Sequence, residues 1–183
     1  MWPWGHLATG YLLYSGYCSI QSQNRPTAVS VFVLALGTQF PDIIDKPLAW
    51  SFGILPTGRS LTHSLFFAAL LLGCLYYYSR KTNHRAIWLA FTIGYLSHLV
   101  ADAALPIFQG ETAYANFLLW PVLSTPSYET APSFTAHFTN MEFTGFFALQ
   151  LLLVVVAIVF WIHDGLPGLQ LWRKISPNHR SQN

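Results

Sequence analysis

The sequence predicts an all-α fold, a multi-pass transmembrane helical bundle with four to five membrane helices. Three observations carry this. Of 183 residues, 53% are hydrophobic and 16% aromatic, and only 9% are charged, too few charges to coat the water-facing surface of a soluble chain of this length. The apolar residues gather in runs that approach the ~20 needed to cross ~30 Å of hydrocarbon. The cations are bunched: Arg80-Lys81-Thr82-Asn83-His84-Arg85 is short and basic, whereas the long segment 106–142 has neither Lys nor Arg. That asymmetry is the one by which cytoplasmic loops are recognised.

Taken in order, Met1 is followed by no basic n-region and no small-x-small cleavage pattern, so no cleaved signal peptide is expected. Residues 5–20, GHLATGYLLYSGYCSI, form a short fifth candidate that spans with local thinning or lies partly re-entrant. The spans proper are expected at 26–40, which needs its flanks to complete the crossing, and at 61–79, 86–105 and 143–163. Residues 41–60 read as a loop. With 80–85 and the tail in the cytoplasm, loop 41–60 and segment 106–142 lie outside. Trp88 and Trp161 then fall near inner helix ends and Trp120 in the outer segment, as an aromatic belt requires. Residues 1–165 make one integral-membrane domain, and 166–183 form a short basic tail carrying Arg173, Lys174 and Arg180.

Some classes are excluded. A net charge of +2 with no basic stripe gives no support to direct nucleic-acid binding. Cys18 and Cys74 sit in apolar stretches without CxxC spacing, and both are expected as buried, inert thiols.

The same topology gathers most of the ionisable residues on one side. His6, Asp42, Asp45, His63, His98, Asp102 and Glu142 all fall at outer ends of their segments. An ionisable group at membrane depth costs at least ~2.5 kcal/mol on insertion scales, so these are functional candidates. His98 and Asp102, in GYLSHLVADAAL, are spaced i, i+4 and share a helical face. That suits two ligands of one metal, an Asp orienting a His, or a hydrogen bond that only joins helices. His63 alone reads equally as a cap or core residue, Asp42 as a helix terminator, Asp45 as a surface partner of Lys46, and His6 as an interfacial residue beside Trp2 and Trp4. Together, imidazoles and carboxylates from several elements are the ligand set of zinc or a harder divalent ion. Arg59, four residues before His63, can clamp an anion or snorkel to headgroups. His137 is a reserve ligand; His84, His163 and His179 are assigned no chemistry.

These residues also carry a resemblance. Gly5-His6, Pro41-Asp42-Ile43-Ile44-Asp45, Arg59-Ser60-Leu61-Thr62-His63-Ser64 and Ser97-His98-Leu99-Val100-Ala101-Asp102 resemble the motifs of membrane-bound metal-dependent hydrolases, the LexA-binding inner-membrane group. The second Asp of the loop falls one residue later than in many members, and Gly58 replaces a His. The order of these residues is also similar to that in secreted zinc-dependent phospholipases C and single-strand nucleases. The resemblance implies metal-assisted hydrolysis of an ester or phosphoester. His6, Asp42, His63, His98 and Asp102 would hold the ion, expected to be zinc, with Arg59 on the anionic substrate and Asp45 or Glu142 as general base. At this depth the substrate would be a membrane lipid headgroup or another small ester or phosphoester. A non-enzymatic scaffold or regulator with a structural metal is the alternative. A transporter would bury such groups nearer the midplane on paired broken helices.

Overall fold

A computed structural model describes residues 1–22, 25–126, 133, 135, 139 and 141–169. Among these residues every regular element is a helix, with no strand. Helix α1 is Pro3–Tyr17, α2 Ala28–Lys46, α3 Leu65–Thr82, α4 Arg85–Phe108 and α5 Gly145–His163, with a 3₁₀ segment at Thr112–Leu119. Thr27 and Ser30 start α2 with a reciprocal capping pair, each side chain taking the other's backbone N–H at 3.2 and 2.9 Å. Ser64 caps α3 and Thr144 caps α5 in the same manner on one side only. Asn83, at φ 58°, makes the left-handed turn that folds α4 back beside α3.

Three helical stretches, Ala28–Ser51, Arg85–Phe108 and Gly145–His163, are long and apolar enough to cross a membrane. Helix α1 has 15 residues, about 22 Å of rise and so short of the ~30 Å hydrocarbon core. Helix α3 carries Arg80 and Lys81 in its last turn. The structure also corrects the expected loop at 41–60. Helix α2 runs through Pro41 to Lys46 and passes into a π-helical turn at Pro47–Ser51, so Asp42 and Asp45 are helical and the irregular stretch begins at Phe52. Proline costs the helix one hydrogen bond, and here the Pro41 carbonyl gains the Thr62 hydroxyl at 3.0 Å.

Helix α4 is the hub, packed against α2, α1, α3 and the 3₁₀ segment, while α5 leans on α1. Close approach of α1, α2 and α4 depends on glycine. A Cβ on Gly94 would stand 2.5 Å from the Leu34 carbonyl oxygen, one on Gly37 2.5 Å from that of Phe91, and one on Gly10 2.4 Å from the Thr38 methyl. Small residues let helix backbones touch where lipid gives no hydrophobic drive to association. Leu34, Tyr95, Leu99 and Phe117 fill the interior, whereas Phe32, Leu70, Val100 and Ile158 face outward, as they do when lipid is the solvent. Cys18 is buried as expected, but Cys74 is exposed, because its apolar neighbours on α3 face outward too.

The 3₁₀ segment folds back over α4 and α3. Its Phe117 is fully buried, and the Ser64 hydroxyl donates to the Trp120 carbonyl at 2.5 Å. Glu129, His137, His179 and the tail cations Arg173, Lys174 and Arg180 lie outside the described residues.

Candidate metal centre

Asp42 and His63 reach from α2 and the turn before α3 toward His98 and Asp102 on α4, and one donor atom of each lies within 4.8 Å of all the others. His63 Nε2 and His98 Nε2 are 3.1 Å apart. Asp42 Oδ1 is 3.6 and 3.8 Å from these two nitrogens, and Asp102 Oδ2 is 3.7 Å from each. A zinc ion with bonds of about 2.0–2.1 Å needs tetrahedral edges of about 3.3–3.4 Å, so two imidazoles and two carboxylates stand close to the required spacing.

The tautomers point the same way. His98 Nδ1 lies 2.7 Å from the Thr38 carbonyl, which only accepts, so Nδ1 carries the proton. His63 Nδ1 lies 2.8 Å from Asp45 Oδ2 and is likewise the donor. Each neutral ring therefore turns a bare Nε2 lone pair on the other, and a hydrogen bond between them requires one ring to be charged. Asp42 sharpens this. Its Oδ2 takes Lys46 at 2.7 Å, and its Oδ1, aimed at the two rings, is buried with no hydrogen-bond partner. Buried acceptors are rarely left so; a shared cation satisfies all of them.

Asp45 plays a different part from the one expected. It is fully buried, and its carboxylate accepts the backbone N–H groups of Ser60 and Thr62 at 2.8 and 3.0 Å besides the His63 ring. Both oxygens are engaged, so the carboxylate orients the His63 ring. It is a positioning residue, holding His63 with Nε2 inward. Glu142 is exposed before the α5 cap and joins none of the cluster's ion pairs among the described residues.

His6 does reach the cluster. It is fully buried, stacked on His98 with ring centroids 3.8 Å apart, and its Nε2 lies 3.2 Å from Asp102 Oδ1 without hydrogen-bond alignment. Asp102 thus presents two sets of neighbours. Oδ2 meets the two imidazoles and Arg59 Nε at 2.7 Å, and Oδ1 meets His6 and the Met1 ammonium at 2.6 Å. The Trp2 N–H is fixed by Gln150 Oε1 of α5 at 2.8 Å and the Pro3 carbonyl by Gln39 at 3.1 Å, which holds the start of α1 over the site. The Arg59 side chain also lines a pocket of about 240 Å³ with Pro106, Glu111 and Tyr114. Phe117 closes the roof, edge-on to His63 at 5.7 Å.

Sequence reasoning did not find Thr38, whose contribution is a carbonyl, nor Met1 and Gln150, which carry no motif. Taken alone, Asp45 reads as a surface partner of Lys46; the Lys46 ammonium instead donates to Asp42, one helical turn earlier.

A family model described as YdjM inner membrane protein matches residues 1–172. No curated protein and no solved structure matches the chain.

Proposed function

The chain belongs to the YdjM inner membrane protein family, and from that premise we propose that it is a membrane-embedded metal-dependent hydrolase acting on an ester or phosphoester, with a lipid headgroup as the natural substrate. The observation that carries the reading is the facing pair of bare imidazole nitrogens between two carboxylate oxygens, with a pocket beside Arg59.

Asp42, His63, His98 and Asp102 would hold the ion, and His6 would supply a further nitrogen on the Oδ1 side of Asp102. A divalent ion held there, zinc by its two-nitrogen, two-oxygen donor set, supplies Lewis acidity that lowers the pKa of water and polarises a carbonyl or phosphoryl oxygen. The chain's own groups do the rest. Asp45 and the Thr38 carbonyl keep both imidazoles in the Nδ1–H tautomer. Arg59, a planar donor fork next to the cluster, holds substrate anion. Phe117 excludes water and lowers the local dielectric.

The orientation in this reading is extracytoplasmic. Arg85 opens α4 and His98 follows thirteen residues later, about 20 Å along the helix from the basic turn. Helices α1 and α3 complete a bundle of four to five spans, packed on the three longer ones.

Metal analysis of the purified wild type against His63→Ala and His98→Ala tests the site, with one ion per chain expected in the wild type and a loss in both variants. Hydrolysis of 4-nitrophenyl phosphate by the metal-loaded protein tests the chemistry. Equal metal in all three proteins would sink the reading.

A second reading has its own support. Four protein donors suffice to close a tetrahedron, which is the pattern of a structural metal in a scaffold or regulator. Cobalt substitution separates the two. The visible spectrum changes on adding phosphate if a position is open and stays fixed if it is closed.

A further inference from the structure

Apolar grooves run along the helices, and one of them is lined at its end by Met1, whose ammonium contacts Asp102 of the cluster at 2.6 Å. It encloses about 680 Å³ between α1, α4 and α5 and follows α4 from Thr92 to Phe108, about 24 Å of helix. That exceeds the ~15 Å depth of one leaflet's hydrocarbon. Ala101 and Ala104 open its floor, and Leu13, Val100, Leu149 and Leu153 form its walls.

The Met1 ammonium aside, no hydroxyl proton in the groove is left for an occupant. Its three hydroxyls are spent on their own helices: Thr9 on the Gly5 carbonyl at 2.9 Å, Thr92 on Trp88 at 2.8 Å and Ser97 on Gly94 at 2.8 Å. An occupant is therefore hydrocarbon over this length. Its end is different in character. Met1 lines the groove while its ammonium rests on Asp102, and Leu105 and Phe108 share the last turn of α4 with Pro106, which lines the Arg59 pocket. A chain lying here brings its polar end to a cation and to the cluster. Neither this groove nor the one of about 430 Å³ between α1, α2 and α5 is lined by a cluster residue, but only the first is lined by Met1, the residue paired with Asp102.

We propose that the α1–α4–α5 groove holds an acyl chain of an anionic glycerophospholipid whose phosphoester lies at Arg59 and the metal cluster. This deepens the hydrolase reading and rests on it for what happens to the phosphoester, but occupancy of the groove does not need turnover.

The experiment uses the full chain in phosphatidylcholine nanodiscs containing phosphatidic acid with a diazirine on its acyl chain. Photocrosslinks are mapped by mass spectrometry. Labels are expected to concentrate on groove residues such as Leu96, Leu105 and Leu149, about tenfold over outward residues such as Leu70 and Leu152, the ratio that about 1.4 kcal/mol of preference gives. A101W should remove the concentration, and A35W, in the other groove, should not. A diazirine diacylglycerol, which lacks the phosphoester, should show none of it. Labels spread evenly over all outward faces, or equal labelling by the two lipids, would overturn the proposal. Concentrated labelling by phosphatidic acid in a protein that holds no metal would leave the groove standing and the hydrolase reading refuted, so the two failures are distinct.

Discussion

His63 and His98 come from different segments, yet their Nε2 atoms face each other at 3.1 Å while each ring keeps its proton on Nδ1. With both rings neutral, two lone pairs directed at one point between two carboxylates are repulsive, and either a metal ion or a proton on one ring relieves them. Four predictions follow from how that arrangement is held.

Asp45→Asn should keep the fold of the 57–64 turn but weaken metal binding. The amide keeps an oxygen for the Ser60 or Thr62 N–H, while its NH₂ no longer fixes the His63 tautomer. Losing the group that orients a metal-binding imidazole costs about 10–100-fold in affinity. Competition against a zinc indicator dye measures it, and an unchanged dissociation constant would refute the orienting role.

Chelation should destabilise the wild type. An ion that binds only the folded chain contributes about 4 kcal/mol at a thousandfold excess over its dissociation constant. Thermal unfolding in detergent should shift down with EDTA and recover with zinc. His98→Ala, whatever its own stability, should show no difference with and without chelator.

Gly94→Val should act at a distance. Its side chain would press on the Leu34 carbonyl and the Thr38 N–H, forcing α2 from α4 at a cost of about 1–3 kcal/mol. Because the Thr38 carbonyl orients His98, metal affinity should fall with stability. A variant that loses stability alone would show that the carbonyl is dispensable.

Asp164→Ala is the converse case. Asp164, buried at the end of α5, accepts the Tyr11 and Ser15 hydroxyls at 2.8 and 2.7 Å and so ties α5 to α1. Stranding two buried hydroxyls should cost about 1–3 kcal/mol, read by thermal unfolding, with metal content at the wild-type level. Loss of metal would mean that the α1–α5 joint also sets the position of His6.

Much of the site was legible because its chemistry is local in the chain. The i, i+4 pair His98 and Asp102, the early His6 and the Pro41-Asp42 and Thr62-His63 steps could each be picked out against a charge-poor background. What could not be read was which partner each residue takes. Asp45 reads as a spare carboxylate, and only the fold shows it saturated by the backbone of residues 60–63 and by His63. Glu142 reads as a neighbour and is exposed outside the cluster's ion pairs. Residues 41–60 read as a loop, but the helix continues through Pro41 to Lys46 with Thr62 on the Pro41 carbonyl.

The sequence by itself determined a helical membrane protein and the chemical kinds of its buried polar groups, since composition and periodicity follow from the solvent each face meets. The tertiary structure alone decided that two imidazoles turn their Nε2 atoms on one point, that Met1 and Arg59 share Asp102, and that Met1 lines a groove along α4. Those facts depend on backbone carbonyls, on a chain end and on helix contacts through Gly37 and Gly94. Contacts between segments far apart in the chain leave no period in a sequence.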